Sequence, residues 1–174
     1  MPMFFRRSTG MFSMPWLLAV LALVGLISAC SPNIASEATA IEANADACAK
    51  TINAYAHARD AGDADAFAAL FTEDAVMTIG DMTLSGRDAI VAAMKTRAAQ
   101  SATMHMVGSV VVDVVDRDTA TARSYTAVFA PSRADLDEVA RLLALATYQD
   151  DMILDGGACV FTKRTVTIGL TPSA

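Results

Sequence analysis

The sequence predicts an α+β domain, with helices first and strands after, and three observations predict it. The stretch Ala54 to Val76, AYAHARDAGDADAFAALFTEDAV, reads as a helix, an Ala-Gly break, a second short helix and entry into a strand. A further helical stretch from about Arg87 to Gln100 puts Ile90, Val91 and Met94 on its inward side. From about Ala102 onward the chain is dominated by long runs rich in Val, Thr and Met that alternate as strands do, parted by the turn signals Asp116-Arg117-Asp118 and Asp155-Gly156-Gly157.

Residues 1–29 stand apart from that domain. Arg6 and Arg7 precede an apolar run from Trp16 to Ile27, the pattern of a secretory leader: a positive end followed by an apolar core too short to favour spanning as a mature helix. Its end, Leu26-Ile27-Ser28-Ala29-Cys30, resembles the bacterial lipobox, in which small residues precede a cysteine that is lipidated and becomes the new N-terminus. The expectation is therefore a lipid anchor at Cys30 and a place in the cell envelope, with Ser31 after the cysteine favouring the periplasmic face of an outer membrane where the host has one. Residues 30–46 follow as the lipidated cysteine and a tether, because SPNIASEATAIEANAD shows no bulky apolar periodicity.

About 145 residues remain, enough for one well-cored domain, expected over residues 47–169 with a short tail at 170–174. Loss of Arg6 and Arg7 with the leader takes the formal charge from -6 to about -8. An acidic domain without a basic block argues against nucleic acid as a partner. Besides Cys30 there are Cys48 and Cys159, which in an oxidising envelope are either a disulfide or two small buried residues. Neither these nor the two histidines have metal-site spacing, so no metal or other cofactor is expected.

The elements follow in order. The first helix runs from near Ala47, with Tyr55 and Ala58 on one face and Arg59 and Asp60 near its exposed end. Gly62 can take the left-handed conformation that closes it, and Asp63 can cap a second helix whose buried stripe is Phe67, Leu70 and Phe71. Residues 75–79 form a short strand, with Met82-Thr83-Leu84 as its hairpin partner across Gly80-Asp81. After the third helix come strands over residues 102–115, 119–130 and 159–168. Between Pro131 and Tyr148, Ser132 or Asp135 can cap and Leu136, Val139 and Leu143 have helical spacing, which predicts a short inserted helix at a rim: a lid, a surface helix or a dimer contact.

Tyr55, Ala61-Gly62-Asp63, Ala69-Leu70-Phe71, Glu73-Asp74-Ala75-Val76 and the later Ser85-Gly86-Arg87-Asp88-Ala89-Ile90 together resemble the SnoaL-like branch of the nuclear-transport-factor-2-like superfamily. That group contains small polyketide cyclases, ketosteroid isomerases and scytalone dehydratases beside many domains without known activity. The resemblance implies a cone-shaped, strongly curved, mostly antiparallel sheet closed by three N-terminal helices, a cystatin-like architecture with a pocket inside the cone.

It also implies where to look for chemistry. Tyr55 matches the tyrosine whose hydroxyl stabilises an enolate in ketosteroid isomerases. Asp150 falls near that group's second donor, a carboxyl kept protonated by an apolar wall, and strand alternation gives it Tyr148, Met152 and Leu154 as company. The isomerase base has no counterpart, since Met77-Thr78-Ile79-Gly80 stands where its aspartate belongs. His105 offers another base: its parity groups it with Val107 and Ser109 on the inward face, and imidazole titrates near neutrality. A carboxylate such as Asp74 or Asp150 is a candidate to hold that ring, with or without catalysis. Tyr55, Val107, Ser109 and Tyr148 are the expected pocket lining, and Arg123, Lys163 and Arg164 are expected on outward faces.

The resulting expectation is a lipid-anchored envelope domain that binds a small, largely apolar molecule without turnover. The alternative is a cofactor-free lyase or isomerase acting on a carbonyl compound, with Tyr55, His105 and Asp150 as its acid-base groups. Apolar residues on both faces of Val110 to Val115 make a homodimer a further expectation.

Overall fold

A computed structural model describes residues 31–130 and 140–171, with side chains from residue 36. By contacts the chain falls into two units, Met1–Thr39 and Ala40–Ala174; of the first, residues 31–39 are helical, and the second holds every described strand and the core. The proposed leader and Cys30 lie outside the described residues.

Helix α1 spans Ser31–Ala61. The tether expected over residues 30–46 is thus helical from Ser31 onward. Ala and Glu are strong helix formers, and the stretch lacked apolar periodicity because it buries little: residues 36–42 are all exposed. The buried stripe begins with Cys48 and continues through Ile52, Tyr55 and Ala56. Gly62, at φ 67°, ends the helix in the left-handed region. Asp63 then caps α2, Ala64–Ala68, by accepting from the Ala66 amide at 3.0 Å.

Strand β1, Phe71–Ile79, starts earlier than expected and pairs antiparallel with β2, Met82–Ser85. Helix α3, Arg87–Gln100, buries Ile90 and Met94, and Arg87 at its start donates through Nε to the Phe71 carbonyl at 2.9 Å, fastening the helix to β1. Three long strands follow the turn of α3 into β3, Met104–Val114: β4, Thr119–Ala130; β5, Arg141–Asp155; and β6, Ala158–Leu170.

The inserted helix expected between Pro131 and Tyr148 is corrected in its second half, where Arg141 to Tyr148 belong to β5 and pair with both β4 and β6. Leu142, Leu143 and Leu145 satisfy a helical and a strand spacing equally, and two neighbouring strands decide the matter. The first half of that segment, residues 131–139, lies outside the described residues.

The strands form one six-stranded sheet in the order β2-β1-β6-β5-β4-β3, antiparallel except where β1 meets β6. The core lies between its inner face and the helices. Tyr55 is the hub: its ring centroid is 5.1 Å from Phe67, 6.2 Å from Phe71, 6.1 Å from Tyr148 and 6.2 Å from Phe161. Burying each such ring contributes about 1.5–3 kcal/mol. Cys48 and Cys159 form a disulfide, closing the alternatives left by the sequence, and it ties α1 to the start of β6 across 111 residues of chain.

Candidate functional site

The helices and the inner face of the sheet enclose a cavity of about 260 Å³. Its walls are largely apolar, with Phe67, Met77, Leu84, Ile90, Met94 and Val166 among them, and its polar groups include Tyr55, Tyr148 and His105. This matches the general character of small-molecule sites, in which a few polar groups stand in an apolar wall.

His105 sits at the start of β3, where the end of α1 reaches it. Its Nδ1 lies 2.5 Å from Asp60 Oδ1, its own amide donates to Asp60 Oδ2 at 2.6 Å, and the Thr103 hydroxyl donates to Oδ1 at 3.2 Å. Asp60 therefore holds the ring and the backbone that carries it. The sequence pointed to Asp74 or Asp150 as the carboxylate; the available signal for Asp60 was its place beside Arg59 in the last turn of a helix whose earlier residue Tyr55 is inward.

Burial holds His105 below the ordinary imidazole range, against the hydrogen bond and charge of Asp60, which raise it; Arg59 and Arg164 add to the lowering. The side chain is 8% exposed. A neutral ring donating from Nδ1 to Asp60 presents its Nε2 lone pair on the other side, and Nε2 has no hydrogen-bond partner among the described residues.

The two tyrosines are donors by the same physics. Burial raises both phenols, outweighing the lowering by Arg164, so each keeps its proton. Neither hydroxyl has a hydrogen-bond partner among the described residues.

Asp150 is placed differently from the expectation. It is buried and on the inner parity, as alternation required, but both of its oxygens accept from Arg164, Nε to Oδ1 at 2.7 Å and Nη2 to Oδ2 at 2.8 Å. A carboxylate held by both oxygens is an ion-pair acceptor, which corrects its reading as a protonated donor facing the cavity. Arg164 is correspondingly 1% exposed rather than on an outward face. Its guanidinium carbon lies 4.0 Å from the Phe161 ring centre, 4.2 Å from Tyr55 and 4.9 Å from Tyr148, so three aromatic faces and one carboxylate neutralise it. Desolvation opposes its charge, yet the Asp150 charge and hydrogen bonds hold its proton above the usual range. Arg164 Nη1 and Ser124 Oγ remain buried without a partner among the described residues.

Of the remaining expected lining residues, Tyr148 lies on the cavity and Val107 on the tightly packed floor beside Ser124 and Thr126. Ser109 does neither: it is exposed, at φ 50°, in a bulge between Gly108 and Val111 that hands its inward place to Val110. Arg97, for which the sequence carried no expectation, also lines the cavity, and so does Arg59, which is buried there and not at an exposed helix end. Among the described residues no group of three or more His, Cys, Asp or Glu side chains could hold a metal ion.

The fold has known counterparts. A Novosphingobium aromaticivorans protein described as nuclear-transport-factor-2-like with a cystatin-like fold is 23% identical, with 95% of each chain covered and a TM-score of 0.63. A protein of the same organism provisionally named a scytalone dehydratase is 19% identical over 74% of this chain and 86% of its own, TM-score 0.63. A Streptomyces avermitilis protein provisionally named a dehydratase is 17% identical over 75% and 99%, TM-score 0.63. At these identities the likeness establishes the fold. Among curated proteins none matches the chain. The family model described as the SnoaL-like domain matches residues 42–165, from the exposed part of α1 to within β6, and so takes in Tyr55, the Asp60–His105 pair and the Asp150–Arg164 pair; the chain belongs to the SnoaL-like domain family.

Proposed function

We propose that the cavity binds a small molecule with an apolar body and that His105 takes a proton from it, in a cofactor-free lyase or isomerase reaction on a carbonyl compound. The observation that carries this reading is His105 in the wall of an apolar cavity, with its Nδ1 held by Asp60. Asp60 fixes the ring and its tautomer, and burial keeps Nε2 unprotonated. A neutral imidazole is the form able to remove a proton alpha to a carbonyl. The oxygen that then gains negative charge would be met by the phenols of Tyr55 and Tyr148. The names given to two structural neighbours, a scytalone dehydratase and a dehydratase, agree with elimination chemistry of this kind.

A second reading, binding without turnover, is favoured by the withdrawal of Asp150, which leaves no carboxyl group on the described cavity wall. One experiment separates the two. In deuterium oxide with a panel of cyclic ketones and hydroxyketones, catalysis predicts exchange or elimination at the alpha carbon by the wild type. His105→Ala should lose that exchange while keeping its circular dichroism spectrum. Binding of the same ketones with no exchange above the buffer rate would establish the non-catalytic reading.

The place of the reaction belongs to the proposal too: a cell-envelope protein held to a membrane by lipid on Cys30, facing the periplasm from the outer membrane where the host has one. The sequence at residues 26–30 supports it. No helix among the described residues is long and apolar enough to cross a membrane. A homodimer through the exposed sheet face completes the reading.

A further inference from the structure

The cavity's charged lining is one-sided. Arg59, from the last turn of α1, and Arg97, from the last turn of α3, both border it, and no Asp or Glu does. Arg59 is 9% exposed. Neither guanidinium makes a hydrogen bond or ion pair with any described residue, although the chain carries an excess of acids. The acid nearest in sequence, Asp60, is engaged with His105 and Thr103 instead. The contrast with Arg164 is direct, because that buried arginine has its carboxylate. Buried charges are ordinarily paired, and a planar guanidinium fork matches the two oxygens of a carboxylate.

We propose that the missing partner of Arg59 arrives with the ligand: the molecule bound here is a small carboxylic acid, its carboxylate held by Arg59 with Arg97 beside it and its apolar body against Phe67, Met77, Leu84 and Ile90. This rests on the reading of the cavity as a ligand site and narrows what that site takes. The size of the cavity, near the lower end of the ~300–1000 Å³ range of small-molecule pockets, limits the body to about one or two rings. Such a ligand also acts on the base. Arg59 is one of the charges that lower the proton affinity of His105, and a carboxylate that neutralises it restores basicity as the substrate binds.

The test uses the full chain, with 2-naphthoate and its neutral isostere 2-naphthamide titrated by calorimetry. The proposal expects naphthoate to bind more tightly by about tenfold or more, as a charge-assisted bidentate pair should. Arg59→Met should remove most of the preference for naphthoate over naphthamide, with an unchanged circular dichroism spectrum showing that the variant is folded. Arg97→Met should lower the preference part of the way. In nuclear magnetic resonance titrations, naphthoate should move the His105 midpoint upward and naphthamide should not. Equal wild-type affinities for acid and amide would overturn the carboxylate proposal and leave the cavity reading standing. Failure of both compounds to bind would remove the cavity reading and this proposal with it.

Discussion

A guanidinium without access to water must be neutralised where it lies, and Arg164 shows what that requires. Asp150 supplies the charge and the fork geometry, and the rings of Tyr55, Tyr148 and Phe161 supply their faces. Removing one partner of such a pair strands the other in the core, so Arg164→Met should cost about 3–5 kcal/mol in denaturant unfolding. Asp150→Asn should be destabilising in the same way, and where it remains folded it should keep wild-type ligand affinity, because Asp150 is behind the cavity wall and not on it. A stable Asp150→Asn protein that has lost binding would contradict this. His105 carries the complementary prediction. Its charged form is disfavoured by burial, with Arg59 and Arg164 acting in the same sense and Asp60 in the opposite one. It should therefore titrate below the usual imidazole value of about 6.5, and Asp60→Asn should lower it further. The unfolded chain then binds the proton more readily than the folded one, so His105 costs stability as pH falls below about 6.5 and has no such effect above it. Nuclear magnetic resonance of the ring and unfolding curves at several pH values check both statements.

At the scale of elements, what the sequence made legible and what it concealed differ by local rules against register. The α2 cap at Asp63, the ends of α3, the β1–β2 hairpin and both tight turns between long strands are written in adjacent residues, and each is where residue pattern places it. Bulges are not legible in this way. In β6 the register slips between the Phe161–Met152 and Lys163–Asp151 pairs, which turns Arg164 inward where alternation from Cys159 and Phe161 would send it out. The bulge after Gly108 likewise turns Ser109 out. The carboxylate of His105 was hidden for another reason: Asp60 and His105 are 45 residues apart, and only the packing of the α1 terminus on β3 joins them. The same helix is fastened to β6 by the Cys48–Cys159 disulfide, whose both ends are buried. Reduction should therefore lower stability by about 2–5 kcal/mol, read as a shift of the denaturant midpoint with and without dithiothreitol. An unchanged midpoint under reducing conditions that demonstrably open the bond would mean that packing alone fixes α1.

Over the whole molecule, the two faces of the sheet have different fates. The inner face is sealed by the helices, whereas the outer face carries Met106, Val111, Tyr125, Leu145 and Leu170 at 41–58% exposure. Met106, Tyr125, Leu145 and Leu170 border one shallow apolar groove across β3, β4, β5 and β6. Four antiparallel strands with large side chains turned to water offer an apolar surface that a second copy can match by two-fold symmetry, each residue meeting the patch it belongs to. The cavity opens on the opposite side of the sheet, so self-association through this face need not disturb ligand binding. The expected outcome is a dimer at micromolar concentration in sedimentation velocity experiments. Tyr125→Asp should convert it to a monomer, because a charge at the centre of the patch has no partner when the faces meet. That variant should keep the thermal midpoint of the fold within a few degrees and the wild-type preference for naphthoate over naphthamide. A wild-type chain that sediments as a monomer throughout would show that this face serves no self-association, and the apolar groove would then require a different occupant.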